Sequence, residues 1–242
     1  MNILEVEDLS MSFGGLQALR DINFAVPAGE ILGIMGANGA GKTTLFGLIA
    51  GHARPTGGAI RFEGVRIDGL RPDKLSRAGI ARTFQIVKPF AAMSVLDNVV
   101  VAALFGARRE RRHAAAEARA REILAEVGLE ARADDLAASL TLSGQKRLEI
   151  ARALATEPKL IMLDEVMAGL TATEVNEMLD AIRAIKARRT LTILIVEHVM
   201  RALMRLSDRI LVLHHGEMIA EGPPATIAGD ARVIEAYLGQ EE

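Results

Sequence analysis

The stretch GANGAGKT, Gly36 to Thr43, fits G-x-x-x-x-G-K-[ST]. That pattern suits a triphosphate. Glycines leave room for backbone N–H groups to turn inward around phosphates. A helix starting at the loop's end aims its positive dipole end at them. Lys42 supplies a cation for the β- and γ-phosphates, and Thr43 a hydroxyl for Mg²⁺. The candidate nucleotide-binding residues are therefore Gly36, Ala37, Asn38, Gly39, Ala40, Gly41, Lys42, Thr43 and Thr44. The bland alternative is a chance glycine-rich turn. The apolar run Ile31–Met35 before the loop and the helical run LFGLIAG after it argue against that.

A second acidic feature lies 121 residues beyond Thr43, where KLIMLDE puts Asp164 and Glu165 at the end of an apolar run. Ligands of open parallel sheets bind at the carboxyl ends of strands. Asp164 is placed to hold Mg²⁺, directly or through water. Glu165 points elsewhere and can take a proton from an attacking water. An isolated Asp-Glu would read as a helix cap or a surface pair. Downstream of a loop that needs a Mg²⁺ partner, the chemical reading is preferred.

Apolar runs bounded by Gly, Pro and Asp alternate with helical patterns, as in a parallel-sheet α/β protein. Ile31–Met35, Leu160–Leu163 and Ile193–Val196 are the buried strand candidates. The first 30 residues differ, with short strands expected at Ile3–Val6 and Ile22–Val26 and turns at Gly14–Gly15 and Pro27–Gly29. They imply an antiparallel β layer. From Ile86 to Glu157 the rhythm is helical: Val95–Ala107, Ala114–Val127 and Gly144–Thr156. A short helix is expected at Val233–Leu238. The charged run RRERRH, Arg108 to His113, reads as a solvated connection between helices. No internal repeat is evident.

Bulk properties set the bounds. The chain has 242 residues, enough for one large α/β domain with a small insert. Half of them are hydrophobic but only 3% are aromatic and none is Trp, so the core must be aliphatic. A formal charge of −2 gives no long-range pull toward nucleic acid or anionic membranes. There is no cysteine, hence no disulfide and no thiolate metal site, which fits a reducing compartment. The start, MNILEVEDLS, has no basic segment and is not expected to be a secretory signal. Charges interrupt every apolar stretch well short of the roughly 20 residues that span a bilayer. Work at a membrane would need spanning helices from another chain.

These motifs, in this order, resemble the nucleotide-binding subunit of ATP-binding-cassette (ABC) transporters over essentially the whole chain. The resemblance implies an α/β P-loop NTPase fold. Its single domain, 1–242, would have a RecA-like core with its β layer (1–85 and 158–242) and an inserted helical subdomain (86–157). It also implies ATP and Mg²⁺ as ligands. Gln85 in ARTFQ matches the glutamine that contacts Mg²⁺ and water and senses the membrane subunit. His198, 33 residues after Glu165, matches the switch histidine at the γ-phosphate. Phe13 in MSFGG matches the aromatic that stacks on adenine, with ordinary core packing as the competing reading. Lys42, Gln85, Glu165 and His198 are the catalytic set, and Thr43, Gln85 and Asp164 the metal set.

The signature segment departs from the family's LSGGQ. Here it reads LTLSGQKRLEIARAL, Leu140 to Leu154. Read literally, Leu142–Ser143–Gly144–Gln145 is the motif short of one glycine. Read without a gap, Leu140 to Gly144 fills the five positions and Thr141 replaces the serine. Either way a hydroxyl and a glycine sit at a helix start, where N–H, OH and dipole can meet a γ-phosphate. Two further departures bear on coupling between subunits: Val166 in place of the usual Pro, and Thr171 in place of an acidic or amide residue.

The resemblance further implies a head-to-tail pair of cassettes, identical or not. Lys42 of one copy and the Ser143 region of the other would grip the same terminal phosphate. Permease subunits would dock near Gln85 and PFAAMSVLDNV. An external solute-binding protein would act indirectly, and the place of work would be the cytoplasmic face of the inner membrane. Within the family the chain looks most like branched-chain amino-acid importers, on LTLSGQKRLEIARALATEPKLIMLDEVMAGL, VEHVMRALMRLSDRILVLHHGEMIAEGPP and VIEAYLG. Related subunits serve amides, urea or lipopolysaccharide export. A soluble cassette ATPase acting on nucleic acid or ribosomes would carry a long coiled coil or two cassettes, and neither is in the sequence. A non-hydrolysing regulatory module would not need the intact Glu165 and His198.

Overall fold

Two twelve-residue strands open the chain, β1 (Asn2–Phe13) and β2 (Leu16–Pro27), paired antiparallel around the Gly14–Gly15 turn. The sequence pattern predicts much shorter strands here, and bulges are the reason. Pairing slips between Val6 and Leu9, where Asp8 has a left-handed backbone at φ 46. An extra residue of this kind shifts the inside–outside alternation along a strand. Next come β3 (Ile31–Met35), α1 (Lys42–Ile49), β4 (Gly57–Phe62), β5 (Val65–Arg66) and α2 (Pro72–Ala78). The order β2-β1-β4-β5 makes a four-stranded antiparallel layer, as the first 30 residues imply.

β6 (Ile80–Arg82), α3 (Val95–Phe105), α4 (His113–Glu126), α5 (Leu142–Ala155), β7 (Leu160–Asp164) and α6 (Ala172–Arg188) follow. α3, α4 and α5 pack together. Each starts or stops within a few residues of its expected bounds. α3 stops at Phe105, and its C-cap Gly106 lies so close to α5's end that a Cβ there would be 2.5 Å from the Thr156 Cα, a gap only glycine fits. α5 begins before Gly144 because Thr141 caps it, its hydroxyl accepting from the Gly144 N–H at 3.2 Å. β7 is buried throughout and runs parallel to β6.

The last stretch supplies β8 (Thr192–Val196), α7 (Met200–Leu206), β9 (Arg209–His214), β10 (Glu217–Gly222), α8 (Pro224–Ala228) and α9 (Ala231–Leu238). β3 is flanked by parallel β8 and β9, and β10 returns antiparallel to β9. β3 and β8 read ILGIM and TILIV and are buried at every position, the mark of strands covered on both faces.

The computed structural model describes residues 1–83, 88–106 and 112–238. Gln85, the start of the helical stretch at Ile86, the end of the first expected helix at Ala107, and most of the Arg108–His113 run lie outside the described residues. Contacts group the chain into Met1–Leu75 with Thr192–Glu242, and Ser76–Leu191. The second unit thus contains β6, β7 and α6 as well as the three central helices.

Candidate active site

In the first unit, the loop after β3 is shaped by what cannot be there. A Cβ on Gly36 would lie 2.4 Å from the Leu213 carbonyl oxygen. Gly41, at φ 104, begins α1 with no side-chain cap, and the helix has no acidic residue in its first turn. A Cβ there would meet the Ala18 carbonyl oxygen at 2.8 Å. The Lys42 ammonium is buried inside the loop and donates to the carbonyls of Gly36 at 2.6 Å and Ala37 at 2.9 Å. The turn between β9 and β10 braces the loop, the Gly216 N–H donating to the Ala40 carbonyl at 3.1 Å. Thr43 is exposed at the helix start and Thr44 half-buried.

A cleft of about 250 Å³ brings Gly36, Ala37 and Asn38 against Glu197 and His198, just past the end of β8. Glu197 is buried and His198 exposed. The loop and the histidine, far apart in sequence, therefore share one cavity. Phe13, at the end of β1, is 53% exposed, so it is not a core residue. Chemically this half offers a cradle of glycine backbone, a buried cation and an imidazole.

In the second unit, Asp164 ends β7 as a buried carboxylate. Arg82 of β6 donates to its Oδ2 at 2.6 Å, and the Thr83 hydroxyl accepts from its backbone N–H at 3.0 Å. Glu165 follows at φ 51 and is 9% exposed. Its carbonyl accepts from the Lys146 ammonium at 2.7 Å and from the Ala168 N–H at 3.2 Å. Arg82, Thr83 and Lys146, which bond Asp164 and the Glu165 backbone, are contacts that sequence reasoning missed. The only local signal was the adjacency of Arg82 and Thr83 to Gln85 in ARTFQ.

At the start of α5, Thr141 and Leu142 are exposed, whereas Ser143 is 7% exposed and Gly144 is buried. Gln145 turns its amide back onto the Leu140 carbonyl at 3.1 Å. Val166 is buried. Thr171 caps α6 in a reciprocal box: its hydroxyl accepts from the Glu174 N–H, while the Glu174 carboxylate accepts from the Thr171 N–H at 2.9 Å. Ahead of α3, buried Asn98 ties down Phe90 through its backbone N–H and carbonyl, and the Arg152 guanidinium lies 4.9 Å from the Phe90 ring centroid. Burial lowers the Arg152 pKa from the usual arginine value.

A glycine loop turned around a buried lysine, between a parallel strand and a helix, defines a P-loop nucleotide-binding fold. Comparison with known proteins narrows this. Residues 19–168 match the family model described as ABC transporter, and residues 217–242 the one described as branched-chain amino acid ATP-binding cassette transporter. The high-affinity branched-chain amino acid transport ATP-binding protein BraF of Pseudomonas aeruginosa is 39% identical over 98% of each chain. Among solved structures, the ADP conformation of MJ1267, an ATP-binding cassette of an ABC transporter, superposes with a TM-score of 0.89. It is 30% identical and covers 99% of this chain and 100% of its own. A dimeric bacterial cassette, MJ0796, gives 0.81 at 25% identity over 91% of this chain and 98% of its own. The chain belongs to the ABC transporter family, among its ATP-hydrolysing subunits. Among the described residues no helix is long and apolar enough to cross a membrane.

Proposed function

We propose that the chain powers uptake of branched-chain amino acids through separate permease subunits, with ATP closing a pair of cassettes and hydrolysis reopening them. The observation that carries this reading is the cleft in which Gly36–Asn38 face Glu197 and His198. It puts a phosphate cradle beside a polar group able to sense a γ-phosphate. The match of residues 217–242 and the likeness to BraF support the solute class.

The roles divide as follows. Lys42 and the loop amides hold the phosphates, and exposed Phe13 stacks on adenine. Thr43 and Asp164 offer hard oxygen donors, which suit Mg²⁺, an ion that takes few protein ligands and leaves the rest to phosphate and water. Arg82 bonds Oδ2 of Asp164, so Asp164 would offer such an ion its other oxygen or a bound water. When bound, Mg²⁺ would supply neutralisation of phosphate charge. Glu165 accepts the proton of the attacking water, His198 contacts the γ-phosphate, and Gln85 reports the membrane subunit.

The other copy contributes the α5 mouth. The exposed, cap-forming Thr141 supports the gapless alignment, in which it carries the hydroxyl. A hydroxyl that accepts from Gly144 still has its own O–H to donate. Ser143, Gly144 and Gln145 then shape the turn behind it. The helical stretch 86–157 is the docking part, and exposed Phe90, propped by Arg152 and Asn98, is its contact point for a permease. The complex sits on the cytoplasmic face of the inner membrane.

Glu165→Gln tests the core of this. The variant should bind Mg-ATP as the parent does, hydrolyse it at least 100-fold more slowly, and run as an ATP-bound dimer in size-exclusion chromatography with light scattering. In cells it should abolish uptake of labelled leucine. Parental turnover would remove Glu165 from the mechanism, and unchanged leucine uptake beside a dead ATPase would remove the solute assignment.

A further inference from the structure

Lys146 is 4% exposed, an unusual place for an ammonium. It lies in the first half of α5, and its donation to the Glu165 carbonyl at 2.7 Å joins residues 19 positions apart. Glu165 in turn is held at φ 51, a conformation that costs a non-glycine residue free energy and persists only where surroundings enforce it. A charge-assisted hydrogen bond in a buried setting is of the size needed to offset such strain. The Ala168 N–H closes the same turn from within at 3.2 Å, so the carbonyl is fixed from two directions. The next atoms out from that backbone are the Glu165 side chain.

We infer that Lys146 is a positioning residue for hydrolysis. It holds the left-handed turn at Glu165 and thereby aims the carboxylate at the water. Lys146 rides on the helix whose mouth, at Thr141, is assigned above to the partner's nucleotide. The aim of one site's base is therefore tied to the position of the helix that serves the other site. A shift of α5 on contact with the partner's phosphate would be felt at the Glu165 backbone through one hydrogen bond. This inference rests on the reading of Glu165 as the base.

The test uses the full chain as Lys146→Met, Lys146→Arg, Glu165→Gln and the double variant K146M/E165Q. Steady-state ATPase rates, nucleotide affinity and melting temperature are measured for each. K146M should lose at least 10-fold in kcat while ATP affinity stays within about two-fold, and it should accumulate ATP-bound dimer. K146R, which restores a charged donor, should recover most of the rate. The double variant should be no slower than E165Q alone, because a missing base cannot be misaimed. If K146M does not fold, Lys146→Gln, with a shorter neutral donor, takes its place under the same thresholds. A folded variant that turns over within two-fold of the parent overturns the inference, as does a double variant whose losses multiply. So does a loss of rate and affinity together that Arg does not restore. If E165Q itself hydrolyses ATP normally, the base assignment fails, and this link fails with it for that separate reason.

Discussion

Two helix mouths in this chain are built on opposite plans. α1 opens at Gly41, left-handed at φ 104, with no side chain to cap it and no acid in its first turn. α5 opens at Thr141, extended at φ −60 and ψ 166, and its own hydroxyl takes up the Gly144 N–H. The first turn of any helix leaves backbone donors that something must satisfy. At α1 no side chain caps the helix, and its first residue is a lysine. At α5 the helix carries its own cap, the Thr141 hydroxyl. On the function proposed above, affinity for nucleotide resides at α1, while α5 is a separately capped surface that meets a nucleotide held by the other copy. Binding and assembly are thus separable in this chain, and each can be broken alone.

The largest expected effect breaks the α1 side. Lys42→Ala removes a buried cation that the loop carbonyls of Gly36 and Ala37 now hold in place. Charge-assisted contacts to phosphate are worth about 1.5–3 kcal/mol each. Mg-ATP affinity of the single chain, read by titration calorimetry, should fall by roughly 100-fold or more, which corresponds to about 2.7 kcal/mol. Thr141→Ala breaks the α5 side. It should cost about 1 kcal/mol of stability through the lost cap. It should leave ATP affinity of the dilute chain unchanged and weaken ATP-driven dimerisation by about ten-fold. Thr141→Ser should restore both. If T141A instead lowers single-chain affinity as much as K42A, the two mouths are not divided as argued.

How much of this was legible beforehand follows from how far apart the cooperating residues lie. The placement of the Gly36–Thr43 loop between β3 and α1 was readable because its parts are contiguous. Strand β3 was placed to the residue by its apolar run ILGIM between Glu30 and the glycine loop. The length of β1 was not, because Asp8 and the bulge it carries put polar residues where alternation predicts apolar ones. The support behind Asp164 and Glu165 was invisible for another reason. Arg82 and Thr83 reach Asp164 across 82 and 81 positions, and Lys146 reaches Glu165 across 19. A lysine in a helix rich in charges reads as surface, and only the packing of α5 shows it turned inward. The signature ambiguity has the same character: composition does not say whether Thr141 or Ser143, two residues apart, takes the motif's serine position, and only the folded chain shows Thr141 exposed and Ser143 buried.

A third mouth sharpens the contrast and gives the smallest effect. α6 opens with Thr171 and Glu174 bonded reciprocally, so one of its capping groups is a carboxylate. Hydrogen bonds from the Thr171 backbone N–H, then from its hydroxyl, hold the Glu174 pKa below the usual glutamate value, with the Arg147 charge a lesser aid. A carboxylate whose pKa is depressed on folding stabilises the folded chain fully above the unfolded value of about 4.3. That contribution fades as pH falls through the lower folded value. Neither α1 nor α5 has an acidic group in its first turn, so their openings carry no such dependence. Denaturant unfolding of Glu174→Gln should therefore fall short of the parent at neutral pH, by an amount that begins to shrink below about pH 4.3 and vanishes only below the depressed folded value. ATP affinity and dimerisation should not move with it. A gap that persists unchanged into acid would mean that Glu174 acts through packing rather than through its charge. α6 would then be closed in the same pH-indifferent way as α5.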